Sequence, residues 1–77
     1  MKIQILGSGC PNCRKLEANT LEALKELGLQ AEVEKVTDMD RIMEFHVMMT
    51  PGLVVDGVVR SAGKVLNRKQ IIDILKA

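Results

Sequence analysis

Aromatic residues are nearly missing from this 77-residue chain, which has no tryptophan, no tyrosine and a single phenylalanine, Phe45. A core must therefore come from Leu, Ile, Val and Met, and stacking platforms for nucleic-acid bases are excluded. An excess of one charge is missing too. Eleven Lys and Arg face ten Asp and Glu, for a net charge of +1. Without basic clusters, nucleic acid is not an expected partner. No apolar run approaches the length of a bilayer span, so no membrane is expected either. The N-terminus reaches Gly7 after only four strand-like residues, too short for the apolar region of a secretory leader. A cytoplasmic location is the expectation. Cysteine is scarce, and the two present, Cys10 and Cys13, stand two residues apart. A disulfide between them would close a tiny loop and constrain the unfolded chain little. In a reducing compartment such a pair reads as catalytic or metal-binding.

What is present suffices for one small domain, residues 1–77, with 47% apolar residues for a core and 27% charged residues for solubility. Ile3-Gln4-Ile5-Leu6 is a short apolar run ended by Gly7, as expected of a strand covered on both faces. Pro11, with no N–H and a preset φ, suits the first turn of a helix. From there Cys13, Leu16, Thr20, Leu24 and Leu27 recur at helical spacing, Leu21 and Ala23 widen the stripe, and Gly28 stops it. The charged residues of this helix, Glu17 among them, read as a solvated face. Residues 31–36 read as a strand, at an edge where its charges discourage further pairing. Thr37 or Asp38 can cap a short helix reaching Phe45 or His46, with Met39, Ile42 and Met43 facing inward. Leu53-Val54-Val55 and Val58-Val59-Arg60, joined by Asp56-Gly57, form a hairpin signal. Asn67 and Gln70 resemble a capping box, and a last helix carries Ile71, Ile72, Leu75 and Ile74.

The order is β-α-β-α-β-β-α, an α/β arrangement. The first two strands should be parallel and the hairpin antiparallel. The expected packing is a four-stranded mixed sheet with helices on both faces.

The chemistry-bearing stretch is Gly9-Cys10-Pro11-Asn12-Cys13, at the junction of the first strand and first helix. Thiol–disulfide exchange needs a thiolate, and an ordinary thiol is mostly protonated at neutral pH. Cys10, at the helix start, would feel the positive dipole end and the unpaired N–H groups there. It is the candidate nucleophile. Cys13, one turn in and on the apolar stripe, is the candidate resolving thiol. Pro11 and Asn12 form the turn between them. A rival reading for the same motif is a copper or zinc carrier of similar length. Such carriers run β-α-β-β-α-β and end on a strand, whereas this chain ends on a helix. A third reading is a redox-responsive interaction module that never turns over. No metal or cofactor is assigned. Met48 and Met49 read as packing or as a soft binding surface, and His46 as a surface residue.

This order, with Cys-x-x-Cys after the first strand and Met49-Thr50-Pro51 before the third, resembles the thioredoxin-like fold in its smallest, glutaredoxin-sized form. It is most similar to the family of very small thioredoxin-like redox-active disulfide proteins. Val55-Asp56-Gly57 and Gly63 extend the resemblance over the whole chain. The resemblance implies a disulfide oxidoreductase acting on protein disulfides, supplied with electrons by a reductase or thiol donor and working as a monomer. It also implies a cis Pro51 beside the cysteines and a substrate ledge at Thr50 and Pro51. Thioredoxins usually carry an aromatic before the first cysteine and a buried acid on the preceding strand. Here those positions hold Gly9 and, approximately, Gln4. Glutaredoxins usually place Tyr or Phe where Asn12 stands.

Overall fold

The computed structural model describes residues 1–76 and contains seven elements in the expected order. They are β1 (Lys2–Leu6), α1 (Pro11–Leu27), β2 (Glu32–Val36), α2 (Met39–Glu44), β3 (Gly52–Val55), β4 (Val58–Ala62) and α3 (Arg68–Lys76). The strands form one sheet in the order β2-β1-β3-β4. β1 runs parallel to β2 and antiparallel to β3, and β3 and β4 form the antiparallel hairpin. The charged strand β2 lies at an edge, as its sequence suggests. Among the described residues no helix is long and apolar enough to cross a membrane.

Alternation along β1 divides the interior in two. Ile3 and Ile5 join Leu53, Leu16, Leu24, Ile71, Ile72 and Leu75 in the larger core, beneath α1 and α3. Leu6, Val36 and Val54 face the other way and pack with Ile42 of α2. Successive strand side chains point to opposite faces, so the central strand must be apolar on both. Gln4 is the exception. It is buried on the α2 face, where its amide donates to Glu34 Oε1 at 2.9 Å. Both terminal guanidinium nitrogens of Arg41 donate to the Glu34 carboxylate, at 3.1 and 3.2 Å. Lys2 approaches it at 3.7 Å. This cluster pins α2 to the sheet, and it holds the Glu34 carboxyl at about 2, through the Arg41 hydrogen bonds first and the Gln4 bond second.

Local chemistry sets the element ends. After α1 the Leu29 N–H donates to the Leu24 carbonyl and the Gly28 N–H to the Lys25 carbonyl, the two bonds of a Schellman motif. Asp38, not Thr37, caps α2, accepting from the Asp40 N–H. Asn67 Oδ1 accepts from the Gln70 N–H while Gln70 Oε1 accepts from the Asn67 N–H, a complete capping box. Asp56 and Gly57 both have positive φ, as a type I′ hairpin turn requires.

Three side chains expected inside lie outside. Met39 and Met43 are 62% and 64% exposed, leaving Ile42 alone to bury α2, and Leu21 is 50% exposed. A six-residue helix touches its sheet along a strip one residue wide. The adjacent positions of its apolar arc therefore reach past the sheet into solvent. On α1 the buried stripe runs through Cys13, Leu16, Thr20, Ala23 and Leu24, and Leu21 falls beside it.

Candidate active site

The carboxyl end of β1 delivers the chain to both thiols. The Gly7 N–H donates to the Val36 carbonyl at 3.0 Å, continuing the β1–β2 ladder one residue beyond the strand. The backbone then turns through Ser8 and Gly9, both exposed, into α1. Cys10 is the N-cap residue of that helix. Its φ of −66° and ψ of 163° are extended, its carbonyl accepts the first helical bond from the Arg14 N–H at 3.1 Å, and Pro11 follows at N1. N-cap positions favour Ser, Thr, Asp and Asn, whose side-chain oxygen accepts a first-turn N–H. Here a sulfur does so: Cys10 Sγ accepts from the Cys13 N–H at 3.3 Å.

The two sulfurs lie 2.6 Å apart as free thiols. Cys10 is half-buried, whereas Cys13 is buried and part of the α1 stripe. Their acidities diverge accordingly. The hydrogen bonds from the Cys13 side chain and from its backbone N–H hold the Cys10 thiol below its ordinary range. Burial pushes the Cys13 thiol above it, and the hydrogen bond to Cys10 and that neighbour's charge push the same way. The arrangement supplies one sulfur that is readily a thiolate and another that stays protonated beside it.

Glycine shapes the floor of the site in a way the sequence reading missed. A Cβ on Gly7 would overlap Cys13 Sγ, lie 3.2 Å from Cys13 Cβ and 3.8 Å from Thr50 Cβ. Gly7 is therefore needed for space, where the sequence suggested a flexible lead-in. The same contacts bring Thr50 to the cysteines, although 37 residues of chain separate Thr50 from Cys13. The Thr50–Pro51 peptide bond is cis. Thr50 is exposed and Pro51 buried. The Pro51 carbonyl accepts from the Gly63 N–H at 2.8 Å, and Met49 packs so closely on Gly63 that a Cβ there would lie 3.0 Å from Met49 Cβ. Met48, 95% exposed, and Met49, 64% exposed, stand next to this loop. His46 is exposed as expected.

A second omission concerns Glu17. A cleft of about 220 Å³ opens beside Cys13, with Gly7, Arg14, Glu17, Lys35 and Thr37 in its wall. Glu17 is not on the solvated face; its side chain is 25% exposed and ion-pairs with Lys35 at 3.8 Å. The signal available in sequence was its place four residues after Cys13, on the same side of the helix. Among the described residues no three His, Cys, Asp or Glu side chains converge as a metal site.

Comparison with known proteins agrees with this geometry. A family model described as a thioredoxin domain matches residues 1–76. A thioredoxin of Methanothermobacter thermautotrophicus is 51% identical over 75 residues, spanning 97% of each chain. One from Methanocaldococcus jannaschii is 41% identical over 97% of this chain and 86% of its own length. A probable thioredoxin of Methanothermobacter marburgensis is 33% identical over 82% of this chain and 79% of its own. A dithiol at the head of a helix, a cis proline beside it and relatives matching from end to end lead to one conclusion: this chain belongs to the thioredoxin family and is a thiol–disulfide oxidoreductase.

Proposed function

We propose that Cys10 is the nucleophile and Cys13 the resolving thiol in the reduction of protein disulfides. Thr50 and Pro51 form the ledge on which the substrate lies, and Pro11 and Asn12 set the turn between the thiols. In the first step the Cys10 thiolate attacks one sulfur of the substrate disulfide. The substrate S–S bond breaks, its other sulfur leaves as a thiolate and takes a proton, and a Cys10–substrate mixed disulfide forms. Cys13 then loses its proton and attacks Cys10 Sγ. The Cys10–Cys13 disulfide forms, and the second substrate sulfur leaves and is protonated. A reductase or thiol donor returns two electrons and two protons to the enzyme.

The observation that carries this reading is the asymmetry of the pair. Cys10 caps the helix, is the more exposed sulfur and has the lowered pKa, while Cys13 is 5% exposed and has the raised one. An incoming disulfide meets Cys10 first. The exposed backbone at Thr50 can pair with an extended substrate strand, and Met48 and Met49 offer adaptable apolar contacts next to it. A reducing cytoplasm is the compartment in which such a dithiol is kept reduced.

Trapping tests the assignment. With protein disulfides as substrate, Cys13→Ser accumulates the mixed disulfide through Cys10, whereas Cys10→Ser does not. Equal trapping by the two variants overturns the division of roles.

A further inference from the structure

The cleft beside the dithiol treats its two sulfurs differently. Among the described residues its wall includes Cys13 and not Cys10. The sulfur that a protein disulfide meets last is thus the one that a small molecule in the cleft meets first. The cleft volume of about 220 Å³ lies below the roughly 300–1,000 Å³ of drug-sized ligand sites, which limits an occupant to about the size of an amino acid. The rest of the wall sets the charge of that occupant. Arg14 and Lys35 are cationic, Glu17 is anionic, and Thr37 adds a neutral hydroxyl. Lys35 pairs with Ile5 in the β1–β2 ladder, so it points to the α1 side of the sheet, where it meets Glu17 at 3.8 Å. Arg14 forms no ion pair among the described residues.

We propose that this cleft binds a small zwitterionic aminothiol of the cysteine type, which reduces the oxidised enzyme by attacking Cys13. The proposal rests on the Cys10–Cys13 disulfide being the oxidised state of the enzyme. Charge complementarity selects the class of thiol. An amino-acid thiolate carries a carboxylate, a thiolate and an ammonium, two negative charges and one positive. The wall carries the inverse, two positive and one negative. The forked guanidinium of Arg14 suits the carboxylate. Glu17 suits the ammonium, and the ion pair with Lys35 fixes its carboxylate in the wall. Position then selects the sulfur, because a thiolate held in this cleft shares it with Cys13. The leaving group agrees. Cys10 has the lower pKa of the pair, and the thiol of lower pKa leaves faster.

In the first step the aminothiol loses its proton to solvent and its thiolate attacks Cys13 Sγ. A bond forms between that sulfur and Cys13, and the Cys10–Cys13 bond breaks with its electron pair on Cys10 Sγ, which leaves as a thiolate. A second molecule of aminothiol, also as its thiolate, attacks the sulfur of the first. The two small molecules become one disulfide, and Cys13 leaves as a thiolate and takes a proton from solvent. Two thiols are oxidised, and the enzyme gains two electrons and two protons. The cleft thus serves the return half of the cycle, while the Thr50–Pro51 side serves the protein substrate.

The test reduces the oxidised protein with three thiols: cysteine, cysteamine, which lacks the carboxylate, and 3-mercaptopropionate, which lacks the ammonium. Each rate is divided by that of the same thiol with free dithiodiethanol, which cancels intrinsic nucleophilicity. Wild type should prefer cysteine over either analogue about tenfold, the contribution of one hydrogen bond to a charged group. Arg14→Gln should lose the preference over cysteamine, and Glu17→Gln the preference over mercaptopropionate. Each preference is a ratio within one protein, so a general loss of stability does not imitate its disappearance. In acid-quenched reactions, tandem mass spectrometry should find the first cysteine adduct on Cys13. An adduct first on Cys10, wild-type preferences near one, or a preference that survives its variant overturns the proposal. If protein substrates oxidise the enzyme without forming the Cys10–Cys13 disulfide, the functional reading falls with it. If that disulfide forms and all three thiols reduce it equally, only the cleft assignment falls.

Discussion

Cys10 and Cys13 share one helical turn with their sulfurs 2.6 Å apart, yet the fold treats them as different reagents. Around Cys10 lie exposed Ser8, Gly9, Pro11 and Asn12, and the group aimed at its sulfur is a backbone N–H. Around Cys13 lie Gly7 with no side chain to interpose, the buried stripe of α1 and a cleft carrying Glu17. The difference arises from position on the helix. The N-cap faces outward beyond the last strand hydrogen bond, and N3 is the first place where the helix turns inward. Two identical side chains three residues apart thus acquire opposite pKa shifts, Cys10 through the hydrogen bonds it accepts and Cys13 chiefly through burial.

The largest expected effect separates the chemical role of Cys10 from its structural one. Cys10→Ala and Cys10→Ser should both abolish disulfide reduction. They should differ in stability, because Ser replaces the capping sulfur with a capping oxygen and Ala removes the acceptor. The Ala variant should be less stable by about 1 kcal/mol in denaturant unfolding. Equal stabilities would mean that the sulfur does not cap.

Next in size is a contrast between the two glycines that flank Ser8. Gly7→Ala drives a methyl group into Cys13 Sγ, and should cost about 1–3 kcal/mol as overpacking while changing the alkylation rate of Cys13. Gly9 has a φ of 85°, but a Cβ there would meet nothing within 4 Å. Gly9→Ala should therefore cost only backbone strain, about 1–2 kcal/mol, and leave Cys13 reactivity alone. Similar effects of the two on Cys13 would show that the loop, and not the close approach, governs that sulfur.

The smallest effect lies across the sheet, at the latch that holds α2. The Glu34 carboxyl ionises at about 2 in the folded protein, against an ordinary 4.5. A depressed pKa stabilises the fold above the unfolded value, and the benefit is lost as pH falls from about 4.5 toward 2. Glu34→Gln should melt lower than wild type at pH 6, and the gap should close over that acid interval. Cys10 alkylation should be indifferent to the change, since the latch lies on the α2 face of the sheet and the thiols at the head of α1.

Much of this was readable from residues in order. The seven elements, the edge position of β2, the Asp56-Gly57 turn, the Gly28 stop and the Asn67–Gln70 box all depend on local periodicity and capping. Those signals lie within a few residues of the structure they specify. The Cys-x-x-Cys pair was readable for the same reason, since its strand–helix setting is local. What escaped depends on distant chain. The space required at Gly7 exists because Cys13 and Thr50 converge there, and the partner of Glu17 is Lys35, eighteen residues on. The exposure of Met39 and Met43 follows from how little of the sheet lies beneath α2, a quantity no helical period contains.

The most direct test of the division between the two sulfurs is the pH dependence of alkylation, resolved by residue. Reduced protein is pulsed with iodoacetamide across pH 5 to 10, and the label on each cysteine is quantified by peptide mass spectrometry. Cys10 should reach half its maximal rate below the ordinary thiol range and Cys13 above it, with Cys10 the faster at neutral pH. Coincident profiles, or Cys13 titrating first, would contradict the account.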